Sequence, residues 1–215
     1  MLKLKIAKKQ LELYLVTDRT WLGNRTLEDC VEQAILGGVT IIQLREKNLN
    51  DDDFIKLAKK IKQVCHHYHI PLIINDNLKV ALAVDSDGIH IGQDDLPVSF
   101  VREKIGPDKI LGVTAHNLQE ALQAQNDGAD YLGAGAIFNT TTKNNTTDLS
   151  IEHLKEITNN VTIPVVAIGG INKNNCHQLS NCNLAGIAVV SAIMNNDNIQ
   201  EATKQLKKIS KVVYE

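Results

Sequence analysis

The sequence predicts a single (β/α)8 barrel, and three observations predict it. Short apolar, β-branched runs alternate with longer amphipathic stretches eight times along the 215 residues. No linker or shift of composition divides them, so residues 1–215 read as one domain. Polar residues gather just after nearly every apolar run, where a barrel keeps its chemistry. Such alternation implies a parallel sheet covered by helices. An open doubly wound sheet is the alternative, but it calls for a Gly-x-Gly-x-x-Gly turn after the first strand. Here Val16 is followed by Thr17-Asp18-Arg19-Thr20-Trp21.

The elements follow in order. A strand at 11–16 precedes a helix at 26–36, where Thr26 and Asp29 are spaced as a capping box. A strand at 40–44 precedes a long amphipathic helix at 51–69. A third strand at 72–74 is followed by a short helix at 78–84, and a fourth at 88–91 by a helix at 97–105. The fifth unit pairs 110–113 with 118–127, and the sixth 131–135 with 151–158. The seventh strand, 164–168, leads to a weak Asn-rich helix near 174–179. The eighth, 186–190, leads to the last helix at 199–212.

Composition narrows the function. Hydrophobic residues make up 43% of the chain, enough to bury a core without disulfides or metals holding it. The 23 basic and 25 acidic residues leave a net charge of −2, without the basic excess of a nucleic-acid surface. No apolar run reaches membrane-spanning length, and the first ten residues interleave Lys with apolar residues, unlike a secretory leader. A cytoplasmic protein is expected. Neither a nucleic acid nor a membrane is an expected partner, and a homo-oligomer is left open. Cys30, Cys65, Cys176 and Cys182 form no Cys-x-x-Cys pair, and Cys30 and Cys65, in amphipathic helical windows, read as small buried hydrophobes. His66, His67 and His69 crowd one helix end, where neighbouring side chains diverge and the helix dipole favours them; metal binding is not expected there. The Asn-rich stretches 172–175 and 195–198 read as loops.

The strand ends carry the chemistry. Gln43-Leu44-Arg45-Glu46-Lys47 follows the second strand, and alternation puts Gln43, Arg45 and Lys47 on one side. An amide with two cations suits a polyphosphate, although a solvated Arg–Glu loop is the plain alternative. Asn75-Asp76 ends the third strand, and Gly92-Gln93-Asp94-Asp95 follows the fourth. Asp76 and Asp95, from adjacent strands, could share one cation; hard oxygens in small number describe Mg²⁺. The alternative is that each caps the helix after it. Gly169-Gly170 and Val190-Ser191 occupy the two loops where barrels commonly bind a phosphate, unless the glycines only serve a tight turn. The long polar loop 138–149, with Lys143 at its centre, reads as a lid or else as a plain surface loop. His116 borders the same region with no Ser or Cys to complete a nucleophilic pair.

Taken together, Leu13-Tyr14-Leu15-Val16-Thr17-Asp18, Gln43-Leu44-Arg45-Glu46-Lys47, Asn75-Asp76, Gly88-Ile89-His90-Ile91-Gly92-Gln93-Asp94-Asp95, Thr140-Thr141-Thr142-Lys143, Ile168-Gly169-Gly170-Ile171 and Val190-Ser191-Ala192-Ile193 resemble the thiamine-phosphate synthase family. The resemblance runs in order from about residue 11 to the last helix. It implies a (β/α)8 barrel that joins a hydroxymethylpyrimidine diphosphate to a thiazole phosphate, using Mg²⁺ and releasing pyrophosphate. By position it gives Gln43, Leu44, Arg45, Glu46, Lys47, Asn75, Thr114 and Lys143 to the pyrimidine diphosphate. Thr140, Thr141, Thr142, Gly170, Val190 and Ser191 go to the thiazole phosphate, and Asp76 and Asp95 to the metal. Lys143, Arg45 and Lys47 are the expected catalytic cations.

Three positions depart from the family pattern: Thr114 stands where Ser is usual, Asn139 where Pro is usual, and Ala136 where Pro is common. The first keeps the hydroxyl; the other two predict a looser entry to the lid. Two rivals keep the pocket. The related thiazole tautomerases lose the Gly-Gln-x-Asp acid and the Thr-x-Thr-Lys loop, both intact here, and a non-catalytic phosphate sensor would shed Asp76, Asp95 or Lys143. An aldolase would want a Schiff-base Lys within a strand, and no strand contains one.

Overall fold

The computed structural model describes residues 6–139 and 149–214. Eight parallel strands close on themselves in sequence order: β1 (Leu13–Val16), β2 (Ile41–Leu44), β3 (Leu72–Asn75), β4 (Gly88–Ile91), β5 (Ile110–Ala115), β6 (Tyr131–Ala134), β7 (Val165–Ile168) and β8 (Gly186–Val189). The expected (β/α)8 barrel is therefore present, and the doubly wound alternative is excluded. The helices are α1 (Lys8–Leu11), α2 (Leu27–Gly37), α3 (Asp51–His67), α4 (Leu78–Val84), α5 (Val98–Ile105), α6 (Leu118–Asn126), α7 (Ile151–Asn160), α8 (Ser191–Met194) and α9 (Ile199–Ser210).

Alternation along each strand divides the core in two. Leu13 and Leu15 face outward and pack, with Ile42 and Leu44, against the buried stripes of the helices. Tyr14, Val16, Ile41, Ile73, Tyr131 and Val166 face inward and fill the barrel. Ile6 and Leu11, ahead of β1, join the inner cluster. Helix starts are built as the sequence implies: Thr26 accepts from the Asp29 amide, Asn50 from Asp53, Asn77 from Val80 and Ser150 from His153.

Four local departures have physical causes. The weak Asn-rich helix after β7 is a 3-10 turn, Cys176–Leu179. Val190 is not strand: it caps α8, with φ −119° and ψ −84°. Residue 11 ends α1 rather than opening β1, and a 3-10 turn, Arg19–Trp21, follows β1 with Asp18 as its cap. Elements this short carry too little hydrophobic periodicity to read from sequence. Arg25 then ties the α2 end of the mouth to the loop after α8. It donates through Nη1 to the Asn196 carbonyl (2.5 Å) and through Nη2 to that of Met194 (3.2 Å).

Candidate active site

At the C-terminal ends of β2 and β3 a cleft of about 500 Å³ opens, lined by Glu46, Lys47, Asn75, Asp76, Lys79 and Leu96 among others. β2 stops at Leu44, so the segment after it does not hold one extended row. Gln43 points into the barrel, 5% exposed, while Leu44 is fully buried in the outer core and offers a ligand only its backbone. Arg45 turns toward β1, with Nη1 3.4 Å from Asp18 Oδ2, and its amide donates to Thr17 Oγ1 (3.1 Å). Lys47 turns the other way and donates to Asp76 Oδ2 at 3.0 Å. The two cations thus flank the mouth on opposite sides of β2, each held by a carboxylate that an arriving phosphate would compete with.

Glu46 lies between them with a side chain only 4% exposed. Its Oε2 sits 3.7 Å from Arg19 Nη1, and its Oε1 is buried with no hydrogen-bond partner among the described residues. Burial raises its carboxyl pKa, opposed by the Arg19 guanidinium.

Neither acidic candidate caps a helix. Asn77 caps α4 instead, and Asp76 adopts the left-handed region at φ 59°, its amide donating to the His90 carbonyl (2.8 Å). A non-glycine residue held there costs free energy that the surrounding bonds must offset, a pattern found at functional sites. Asp95 precedes Pro97, which caps α5 with no side-chain bond, and its Oδ2 accepts from the Gly92 amide (2.6 Å). Burial raises the Asp95 carboxyl; the Gly92 bond opposes this, and Asp76 adds to the rise. The neighbouring Asp76 carboxylate therefore disfavours charge on Asp95, which a divalent cation between them would relieve. Among the described residues no group of three or more His, Cys, Asp or Glu gathers around a metal position. A pair of hard oxygens with substrate and water completing the shell fits Mg²⁺ better than a closed protein cage.

On the far side of the mouth, Gly169 and Gly170 both have positive φ, 104° and 62°. A Cβ on Gly170 would lie 2.5 Å from the Asn139 carbonyl oxygen, so this turn needs glycine on two counts. The Gly170 carbonyl accepts from the side chains of Asn172 (3.1 Å) and Asn175 (3.0 Å), which explains part of the Asn-rich stretch. Val190 and Ser191 stand at the start of α8. At the loop entry, Ile137 and Phe138 donate to the carbonyls of Ile168 and Gly169, and Leu149 to that of Ala136. Thr140, Thr141, Thr142 and Lys143 lie outside the described residues. His116 pairs with Glu120 of α6 (2.9 Å).

One constellation escaped the sequence reading. Beneath the mouth, Gln43 Nε2 donates to Tyr14 Oη (2.9 Å), which lies 2.7 Å from Tyr131 Oη. Tyr131 Oη is 3.0 Å from His90 Nδ1, and His90 Nε2 is 3.0 Å from Thr114 Oγ1. The only sequence signal is the clearance that Gly112 and Gly133 provide: a Cβ on Gly112 would fall 2.2 Å from Tyr131 Cζ, and one on Gly133 3.1 Å from His90 Cε1.

A model of the thiamine monophosphate synthase family matches residues 13–193. The chain belongs to the thiamine monophosphate synthase family. Within that family it is 55% identical to the thiamine-phosphate synthase of Clostridium tetani over 194 residues, 90% of this chain and 93% of that one. It is 53% identical to the thiamine-phosphate synthase of Clostridium botulinum strain Eklund 17B over 195 residues, 91% of this chain and 92% of that one. The solved thiamine phosphate pyrophosphorylase of Pyrococcus furiosus superposes with a TM-score of 0.87 at 39% identity, covering 96% of this chain and 98% of that one. The synthase-family resemblance read from the strand-end motifs is thus borne out.

Proposed function

We propose that this chain is a thiamine-phosphate synthase, a transferase of the pyrimidinylmethyl group. It condenses 4-amino-2-methyl-5-(diphosphooxymethyl)pyrimidine with 4-methyl-5-(2-phosphooxyethyl)thiazole, giving thiamine phosphate and pyrophosphate. The observation that carries this reading is the mouth itself: Arg45 and Lys47 flank β2, the Asp76–Asp95 pair stands beside them, and a glycine turn lies opposite. Within the family, that charge map suits a diphosphate at one side and a phosphomonoester at the other.

Arg45, Lys47, Gln43 and Asn75 bind the pyrimidine diphosphate, together with Thr114 at the end of β5 and, by its place in the Thr-x-Thr-Lys motif, Lys143. Gly170, Val190 and Ser191 bind the thiazole phosphate together with Thr140, Thr141 and Thr142. Asp76 and Asp95 would hold Mg²⁺, which when bound supplies charge neutralisation on the diphosphate. The reaction is dissociative: the C–O bond to the diphosphate breaks first, and the ring nitrogen of the thiazole closes on the resonance-stabilised pyrimidinylmethyl cation. That nitrogen brings its own lone pair, so no general base is required. Catalysis is then positioning plus stabilisation of the charge that grows on the leaving group. A unit-charge pair at 4 Å is worth about 4 kcal/mol at an effective dielectric near 20, and each 1.36 kcal/mol that grows toward the transition state is about tenfold in rate. Of the described residues, no helix is long and apolar enough to cross a membrane; a cytoplasmic site of action fits these substrates.

The test is to mix purified protein with both substrates and Mg²⁺ and follow both products, with EDTA as control. Equal amounts of thiamine phosphate and pyrophosphate, abolished by EDTA, are expected. Saturable thiamine phosphate binding without turnover would replace this reading with a phosphate-ligand sensor.

A further inference from the structure

The hydrogen-bonded chain beneath the mouth joins two residues of the site, Gln43 on β2 and Thr114 on β5, through three residues that have no assigned role: Tyr14, Tyr131 and His90. Tyr14 is 2% exposed, Tyr131 0% and His90 9%. Burial raises the pKa of both phenols, so each keeps its single proton. Counting those protons gives the chain a direction. The Gln43 amide donates to Tyr14 Oη, and Tyr131 Oη is the acceptor left for the Tyr14 proton. The Tyr131 proton then goes to His90 Nδ1. That leaves the imidazole hydrogen on Nε2, donating to Thr114 Oγ1. An imidazole carrying hydrogen on Nδ1 would turn the Tyr131 proton back toward Tyr14, whose own proton would then face the Gln43 amide hydrogens.

We infer that Tyr14, Tyr131 and His90 form a directional strut that positions Thr114, holding its hydroxyl hydrogen toward the substrate as a donor to the leaving diphosphate. Thr114 is half-buried at the end of β5, and its oxygen is already occupied by the His90 hydrogen, so its own proton is available to the mouth. The Gln93 side chain covers the Thr114 carbonyl at 2.5 Å, fixing the backbone from the other side. The cleared space at Gly112 and Gly133 belongs to the same arrangement, because a side chain at Gly112 would displace the rings of Tyr131 and His90. His90 and Tyr131 are positioning residues: they reach the substrate only through Thr114. This inference rests on the proposed synthase activity for its kinetic arm only.

The experiment is a double-mutant cycle on the full chain between Tyr131→Phe and Thr114→Val, read as kcat and KM, together with ¹⁵N NMR of His90. Tyr131→Phe is expected to lower kcat by about three- to tenfold, the worth of one hydrogen bond, with KM for the thiazole phosphate unchanged. In the Thr114→Val background the same substitution should cost nothing further. Equal losses in both backgrounds would overturn the strut. In the unmodified chain His90 should carry its hydrogen on Nε2; a hydrogen on Nδ1 overturns the direction even where a variant fails to fold. Absence of turnover in the unmodified protein would count against the synthase reading alone, since the NMR arm needs no substrate.

Discussion

Glu46 is a buried carboxylate that its own surroundings do not satisfy. One oxygen lies 3.7 Å from the Arg19 guanidinium, and the other has no hydrogen-bond partner among the described residues. Because burial raises its pKa, the folded chain holds the Glu46 proton more tightly than the unfolded chain does. Its ionised form therefore costs nothing at acid pH and destabilises the fold as pH rises through the raised value. Glu46→Gln should raise stability at neutral pH by about 1 kcal/mol, or about 2–4 °C in Tm, and the gain should vanish as pH falls below the ordinary Glu range. Thermal melts of both proteins at two pH values check this. The side-chain roles at β2 were only partly legible: cations after an apolar strand can be read, but that Arg45 swings to Asp18 and Lys47 to Asp76 depends on where β2 ends.

At the level of elements, the turn after β7 and the cap of α2 make contrasting predictions. Gly170→Ala would place a Cβ 2.5 Å from the Asn139 carbonyl oxygen at a backbone φ of 62°, so the turn and the base of the loop must shift. A destabilisation of about 2 kcal/mol is expected, with KM for the thiazole phosphate raised more than KM for the pyrimidine diphosphate. Steady-state titration of each substrate separates the two. Thr26→Ala removes the bond to the Asp29 amide far from the chemistry. It should cost about 1 kcal/mol in a denaturant melt and leave kcat unchanged. Caps and strand–helix alternation are local signals, and so α2, α4 and β4 could be read directly from the sequence. Helix α8 and the 3-10 turns could not, because a segment of three or four residues shows no period.

Across the whole molecule, closure of the barrel brings distant positions together. Tyr14 meets Tyr131 across 117 positions of sequence, and neither strand alone carries a sign of the contact. By contrast, the ordered polar ends of the strands were visible at once, because a closed parallel barrel must present all of them at one face. In the proposed reaction that face stabilises charge on a departing diphosphate, with the Asp76–Asp95 pair and the flanking cations as its parts. Lys143→Ala tests the proposed role of that cation, with kcat expected to fall roughly 10²-fold. Asp95→Ala tests the claim most directly, because that residue lies outside every helix and strand and its loss leaves the core untouched. With both substrates saturating, its kcat for thiamine phosphate should fall by roughly 10²-fold or more while Tm stays within about a degree of the unmodified protein. A near-unchanged rate would contradict the account.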